Sequence, residues 1–520
     1  MGRLYGYLTL VFFLEGALTL CAQQPSKLNA TLYQRWLETS SVDRPNVVLP
    51  VLVQGNLKSL QPSIEALGGR YRYGARDIAA VDLPLHSLEA LLLLPALRRV
   101  EYRTAAAHYL NDHPDDSLML GHNRVAPVHQ GQFPLPRPLK GTGVLLGMID
   151  DGIEWQHPDF LKADSTTRLA AIWDQRLHFP AYMPIQYGYG SVWSQPQINN
   201  GQCLHRVGDH GSHVMGSAAG NARANGKYLG IAPQTDLACV AIDLENTFHG
   251  SFVDGVPNLL ELTQQRNQPC VINSSVGSYS SGHDGKDLYA QMVTQLVEAR
   301  PGQALVQAAG NARQFDFHIG VDQQQDTVWV PFGYHAASQQ THFNLYADTA
   351  DLAQLRFSFA LLPNGNGPPI ARTRTFDLQQ LTPTMGGLGY YSELLFNDAQ
   401  GQAVTLELYL DQYADAYSLE VRLRSASNLG VWRLETQGTG RYDIWSHPTL
   451  LRTSEILTRN GPYYRAPDNI QSIVGYWTCA APIVVVGAYQ NRTYIVNYAQ
   501  DTLNIGTAGY PVPGVAAFSS

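Results

Sequence analysis

The sequence predicts an α/β core built on a parallel sheet, preceded by a small α+β unit and interrupted by an all-β insertion. Three observations carry this. Short apolar runs alternate with helical periodicity between residues 144 and 308, the pattern of strands buried on both faces by covering helices. Residues 47–103 read strand, helix, strand, strand, helix, strand. After Asn311, helical periodicity nearly vanishes for about 150 residues and alternating, β-branched or aromatic runs take over, separated by Asn, Gly, Pro and Asp turns. A length of 520 residues suits about two to four such domains.

In chain order, Met1–Ala22 has Arg3 near its start, an apolar run from Tyr5 to Leu20, and Leu20-Cys21-Ala22 before Gln23, which reads as a secretory signal cleaved after Ala22. Glu15 inside the apolar run is irregular and leaves a membrane anchor as the alternative; a lipoprotein reading through Cys21 is disfavoured by Leu20 before it. No later segment offers roughly 20 uninterrupted apolar residues. The expectation is a secreted, cell-envelope or periplasmic protein with no stable membrane insertion once the signal is removed.

Residues 23–108 form the first expected domain. Val47–Val53, Arg70–Tyr73, Ile78–Val81 and Arg98–Tyr102 read as strands and Leu57–Leu67 and Leu85–Leu93 as helices, a ferredoxin-like arrangement. Leu110–Pro138, rich in Asp, His and Pro, reads as a linker and cleavage region. The α/β domain begins over 109–320, with strands at Val144–Ile149, Leu237–Ile242, Cys270–Asn273 and Ala304–Ala308 and helices at Ser212–Asn221, Phe252–Gln265 and Leu288–Glu298. Within it the aromatic stretch Arg168–Trp193 reads as a long loop. The insertion, 321–470, is expected as a sandwich or jelly roll from runs at Thr327–Gly333, His342–Tyr346, Gln354–Leu361, Ala403–Asp411, Ala416–Leu423, Gly430–Gln437 and Tyr442–Trp445. The α/β texture returns at Ala481–Ala488, in a second, incomplete part spanning 471–520.

Composition narrows the function. A net charge of −8 without a run of Lys or Arg gives nothing to hold a phosphate backbone, so nucleic acid is excluded as a partner. Cys203, Cys239, Cys270 and Cys479 lie far apart without metal-ligand spacing, so no zinc site follows. They allow three fully paired disulfide arrangements, and inert buried thiols fit Cys239 and Cys270 equally well.

Three motifs carry chemistry. Val144–Ile149 delivers Asp150 at the end of a buried strand, followed by Asp151-Gly152 and a His157-Pro158-Asp159-Phe160 tail. Gly208-Asp209-His210-Gly211-Ser212-His213-Val214-Met215-Gly216 runs from a glycine turn into a helix of small residues that can lie close beneath the sheet and hold an imidazole rigidly. Near-neutral imidazole chemistry suits His210 to the role of base, whereas His205 and His213 read as structural. Ala308-Ala309-Gly310-Asn311 places a side-chain amide after another strand, where it can donate to a developing oxyanion, a contact worth roughly 3 kcal/mol.

These motifs, in this order, resemble the subtilase family of serine peptidases over about residues 26–320 and 475–520. The second Asp of Asp150-Asp151-Gly152 is shared with the kexin/furin branch, but His213 stands where that branch has Arg, and the chain is more similar to bacterial secreted subtilases with a β-rich insertion. The resemblance implies a secreted endopeptidase precursor acting on polypeptide substrates through an Asp-His-Ser triad. Asp150 is then the orienting acid, His210 the base and Asn311 the oxyanion donor, with Ser275 and Gly277 of Val271–Gly277 as substrate-wall positions. It also implies that the first domain, ending Leu94–Glu101, is a propeptide acting as intramolecular inhibitor and chaperone. Structural calcium is common in the family; no ligand set here supports an assignment, and no cofactor is implied.

The resemblance further demands a G-T-S-M-A-x-P nucleophile motif after Asn311. Ser338, Ser358 and Ser454 stand in the wrong contexts, and Phe518-Ser519-Ser520 resembles a segment that precedes the nucleophile in related proteins. The expectation is a fragment lacking its Ser and inactive as it stands; the alternative is a catalytically inactive relative that binds through its cleft or insertion. Reading the source gene past Ser520 is expected to find a G-T-S codon series in frame. An immediate stop codon would favour the alternative.

Overall fold

The computed structural model describes residues 25–103, 107–108, 123–244, 248–279, 282–324, 327–336, 338–363, 367–413, 415–446, 456–468, 470–471, 473–490, 493–496, 501–504, 514–517 and 519. The expected signal segment, and residues 110–122 of the expected linker Leu110–Pro138, lie outside them.

The Asn29 side chain accepts a hydrogen bond from the Leu32 amide and starts helix α1 (Ala30–Glu38), which periodicity did not reveal. Strand β1 (Val48–Gly55), helix α2 (Leu57–Ala66), strands β2 (Arg70–Ala75) and β3 (Ile78–Pro84), helix α3 (Leu88–Leu92) and strand β4 (Leu97–Glu101) follow. The four strands pair antiparallel in the order β2-β3-β1-β4, the ferredoxin-like arrangement the sequence predicts. Beyond β4, strand β5 (Ala107–His108) leaves this sheet.

The central sheet uses β6 (Leu145–Asp150), β7 (Leu169–Asp174), β8 (Ser191–Ser194), β9 (Asp236–Ala241), β10 (Cys270–Ser274) and β12 (Gln303–Ala308). Between them run helices α4 (Asp209–Ala219), α5 (Phe248–Arg266) and α6 (Leu288–Glu298) and the short strand β11 (Val276–Gly277). The order is β23-β12-β10-β6-β9-β7-β8, where β23 is Ile483–Val486, and every neighbouring pair is parallel except β7 with β8. All six residues of β6 are buried. Ile149, Val240 and Ile272 face Val253, Leu259 and Met292 of α5 and α6, whereas Met148, Leu237 and Cys239 face Met215 of α4. Burial on both faces explains why these strands read as continuous apolar runs.

The N-terminal unit docks on the outer side of α5 and α6, so that Leu52, Tyr73, Ile78 and Ala80 join the core beneath the central sheet. Asp254 of α5, 1% exposed, anchors this contact. It pairs with Arg72 and accepts hydrogen bonds from the hydroxyls of Tyr73 and Tyr189, both at 2.6 Å.

The insertion comprises β13 (His318–Gln324), β14 (Val328–Phe332), β15 (Gln340–Asp348), β16 (Leu355–Leu362), β17 (Ala371–Arg372), β18 (Thr382–Pro383), β19 (Gly389–Asn397), β20 (Ala403–Tyr413), β21 (Ala416–Arg424) and β22 (Val431–Ser446). They form one ten-stranded antiparallel sheet curled around its own apolar core.

Two expectations need correction. Arg168–Trp193 is no simple loop: it supplies β7 and β8, and Trp173 and Trp193 are fully buried in the core. A register shift between Leu169 and Ala171 breaks the alternation that marks a strand. Gly430–Gln437 and Tyr442–Trp445 are one strand, β22, whose first half pairs with β14 and β16 and whose second half pairs with β13 and β15. The glycines that look like a turn are Gly438 and Gly440, at φ of 115° and 155°, where the strand bends between the two halves. A Cβ at Gly438 would collide with the Gln354 carbonyl oxygen. Gly438→Val is therefore expected to destabilise the insertion by about 1–3 kcal/mol, read as a lower thermal midpoint; an unchanged midpoint would refute the bend's dependence on glycine.

Candidate active site

Strand β6 ends at Asp150, whose side chain is completely buried. Its Oδ1 accepts a 2.6 Å hydrogen bond from His210 Nδ1 and a 2.8 Å bond from the Asp151 amide. Burial pushes the Asp150 carboxyl above its ordinary range, and the hydrogen bond and positive charge offered by His210 pull it back.

His210 reaches this carboxylate because the first turn of α4 presses against the loop that follows β6. A Cβ on Gly211 would collide with the Gly152 carbonyl oxygen, and one on Gly208 with Asp151. Polar contacts lock the approach: the Gly211 amide donates to Asp151 Oδ1 at 2.7 Å, and Ser212 Oγ accepts from the Glu154 amide at 2.6 Å. Asp159 in the tail accepts from the Ala224 amide at 2.8 Å and ties down the loop beyond α4.

Behind this pair stands another that sequence reasoning did not assemble. His205, read as structural, directs Nδ1 to Asp174 Oδ2 at 2.7 Å, and its Nε2 accepts from the Ile153 amide at 3.0 Å. Both side chains are fully buried, and Arg176 completes the group at 2.9 Å from Asp174. Burial acts to raise the Asp174 carboxyl, yet the hydrogen bonds from His205 and Arg176 and the guanidinium charge hold it well below the usual carboxylate range. His213 sits half-buried one turn along α4 from His210.

Asn311 follows β12, and its amide donates to the Tyr279 hydroxyl at 2.9 Å. Tyr279, 2% exposed, packs edge-on against Phe317 just past Asn311, a support that no local pattern announces. Gln307 of β12 donates its side-chain amide to the Val276 carbonyl, so the Asn311 strand also braces β11. Ser275 is buried, with Oγ accepting from Asn273 at 3.4 Å, and Gly277 lies in β11 itself. That short strand is paired antiparallel with β5: Val276 faces His108 and Gly277 faces Ala107.

Asp150, Asp151 and His210 offer ligand atoms within 4.8 Å of one another, the one group of metal-binding type among the described residues. Its geometry is that of a hydrogen-bonded acid–base pair, because Asp150 Oδ1 serves His210 and Asp151 Oδ1 serves Gly211. The four described cysteines are free thiols; burial pushes Cys270 up to about 12 and Cys203 to about 11. Among the serines considered as nucleophiles, Ser338 bonds to His335 at 2.6 Å, Ser358 to Glu435 at 3.4 Å, and Ser519 accepts from the Ala488 amide at 2.9 Å. Ser454 and Ser520 lie outside the described residues.

The depressed Asp174 carboxyl makes stability depend on pH. The unfolded Asp titrates near 3.9, so its contribution is complete above about pH 4 and is lost as pH falls toward the lower folded value. Asp174→Asn is expected to cost about 3 kcal/mol at pH 7, a deficit that narrows only below about pH 4. Urea midpoints of parent and variant from pH 7 to 3 check this, and a constant gap across that range would contradict it.

Comparison with known proteins places this geometry. Residues 141–341 match the subtilase family, peptidase S8. The CspB protease of Clostridium perfringens superposes with a TM-score of 0.55 at 18% identity, covering 73% of this chain and 72% of that one. The epidermin leader peptide processing serine protease EpiP of Staphylococcus aureus gives a TM-score of 0.33 at 17% identity, covering 52% of this chain and 61% of that one. The β6–α4 pair and six of the seven strands of the central sheet lie within the residues that match the subtilase family.

Proposed function

We propose that the chain is part of an exported serine endopeptidase precursor that hydrolyses peptide bonds with Asp150, His210 and Asn311. The observation that carries this reading is the 2.6 Å bond from His210 Nδ1 to buried Asp150 Oδ1. That bond commits Nδ1 to the carboxylate and makes Nε2 the basic nitrogen, the tautomer needed to take a proton from a serine hydroxyl. The alkoxide then attacks the substrate carbonyl, Asn311 donates to the resulting oxyanion, and His210 returns its proton to the leaving amine. Water, deprotonated by His210 in turn, releases the acyl group.

Polypeptide substrates in this scheme add a strand to the edge at Val276–Gly277, with Ser275 in the wall, and gain affinity from backbone pairing rather than side-chain selection. The N-terminal unit acts as the propeptide, and Ala107–His108, paired with that edge, supports its role as an intramolecular inhibitor. No metal takes part in the scheme.

The reacting serine is assigned to none of Ser338, Ser358, Ser454, Ser519 or Ser520. The purified 520-residue chain is accordingly expected neither to cleave casein nor to react with a fluorophosphonate probe; a labelled serine would displace the assignment. In the protein as its source expresses it, Asp150→Asn and His210→Ala are each expected to lower casein hydrolysis by at least about 10⁴-fold. Undiminished hydrolysis in either variant would sink the proposal.

A further inference from the structure

The β-rich insertion lies far from Asp150 in sequence, yet it reaches the N-terminal unit. Leu388 and Tyr409 of the insertion, 0% and 2% exposed, are members of the N-terminal unit's own core, with Leu28, Leu32, Tyr33 and Leu92. Tyr33 meets Tyr390 and Tyr409 edge-on, at centroid distances of 5.6 and 6.4 Å.

Backbone pairing continues the contact. The Ser26 amide donates to the Gln412 carbonyl at 2.7 Å, the Gln412 amide donates back to Ser26 Oγ at 3.1 Å, and the Lys27 amide donates to the Gly386 carbonyl at 2.6 Å. The same segment binds the N-terminal sheet on its other side, where the Val100 amide donates to the Lys27 carbonyl at 2.6 Å. Residues 26–28 thus lie between the two sheets and bond to both. Gly386 has a φ of 66°, and a Cβ there would collide with Leu28, so the two surfaces are fitted closely at this point.

At the centre sits a buried fork. Arg99 of β4 gives two hydrogen bonds to Asp411 of β20, at 3.0 and 2.6 Å, and a third to Glu101 at 2.6 Å. Glu101 passes the contact on to the catalytic domain, because its Oε2 accepts from the Leu288 amide at the start of α6. Exposure of the Arg99 and Asp411 side chains is 9% and 8%. A two-pronged Arg–carboxylate pair shielded from water is both directional and costly to break on one side.

We propose that the insertion is a docking surface for the N-terminal unit, which it holds on the catalytic domain independently of the covalent connection through residues 109–122. The apolar contact around Leu388 and Tyr409 supplies the area and the Arg99–Asp411 fork supplies the register. This assignment requires no catalytic activity of the chain.

The test uses the full chain with a site-specific protease sequence placed between residues 112 and 118. After complete cutting under native conditions, the N-terminal fragment is expected to co-elute with the remainder on size exclusion. Asp411→Asn, which keeps the shape and removes the charge, is expected to speed release of the cut fragment in mild urea at least tenfold. Co-elution with accelerated release in the variant supports the proposal; separation of the parent fragment, or release unchanged by Asp411→Asn, overturns it. If the variant does not fold, hydrogen exchange in the uncut Tyr409→Leu chain replaces it. Faster exchange over residues 26–32 and 97–101 than in the parent supports the proposal, and unchanged exchange overturns it.

Discussion

The hydrogen bond between Asp150 and His210 depends on how closely a helix can approach the end of a strand. Gly208 and Gly211 set that distance, since a methyl group at either would strike the loop after β6. The approach fixes the ring orientation, and the ring orientation fixes which nitrogen is basic. Asp174 and His205 support the same loop from behind, because His205 Nε2 takes the Ile153 amide. A buried ion-paired layer beneath the Asp150–His210 pair costs desolvation but leaves few alternative arrangements for the groups above it.

Much of this was legible in the chain because it is local. The central strands β6 and β9 are buried over nearly their whole length, so their residues are mostly apolar, and β10 and β12 carry short apolar runs beside them. Asp150, His210 and Asn311 each sit within a few residues of a strand end or helix start, and short motifs capture them. The missed features are those whose partners are distant. Arg99 and Asp411 are 312 residues apart, Arg72 and Asp254 are 182 apart, and Tyr279 and Asn311 are 32 apart. No periodicity encodes such pairs. The glycines of β22 misled for a physical reason: a strand that bends between two halves of a sheet needs the same residue as a strand that ends in a turn.

The contacts between units show two kinds of chemistry. Apolar clusters shared across the boundaries give adhesion without direction. Asp254, with an arginine and two tyrosines on it, and Asp411, with Arg99, give direction, since a displaced neighbour would leave a buried carboxylate without its donors. Such pairs add little net stability over apolar packing, but they penalise a misplaced dock heavily.

The pairing of Ala107–His108 with Val276–Gly277 is only two residues long. On its own a ladder that short is feeble. It belongs, however, to a tethered segment whose root is fastened at β4, so the segment is present at the sheet edge at an effective concentration on the order of millimolar. In the proposed function, an extended peptide arriving from solution would compete against that local concentration, and a weak interaction would thereby set a high threshold for strangers.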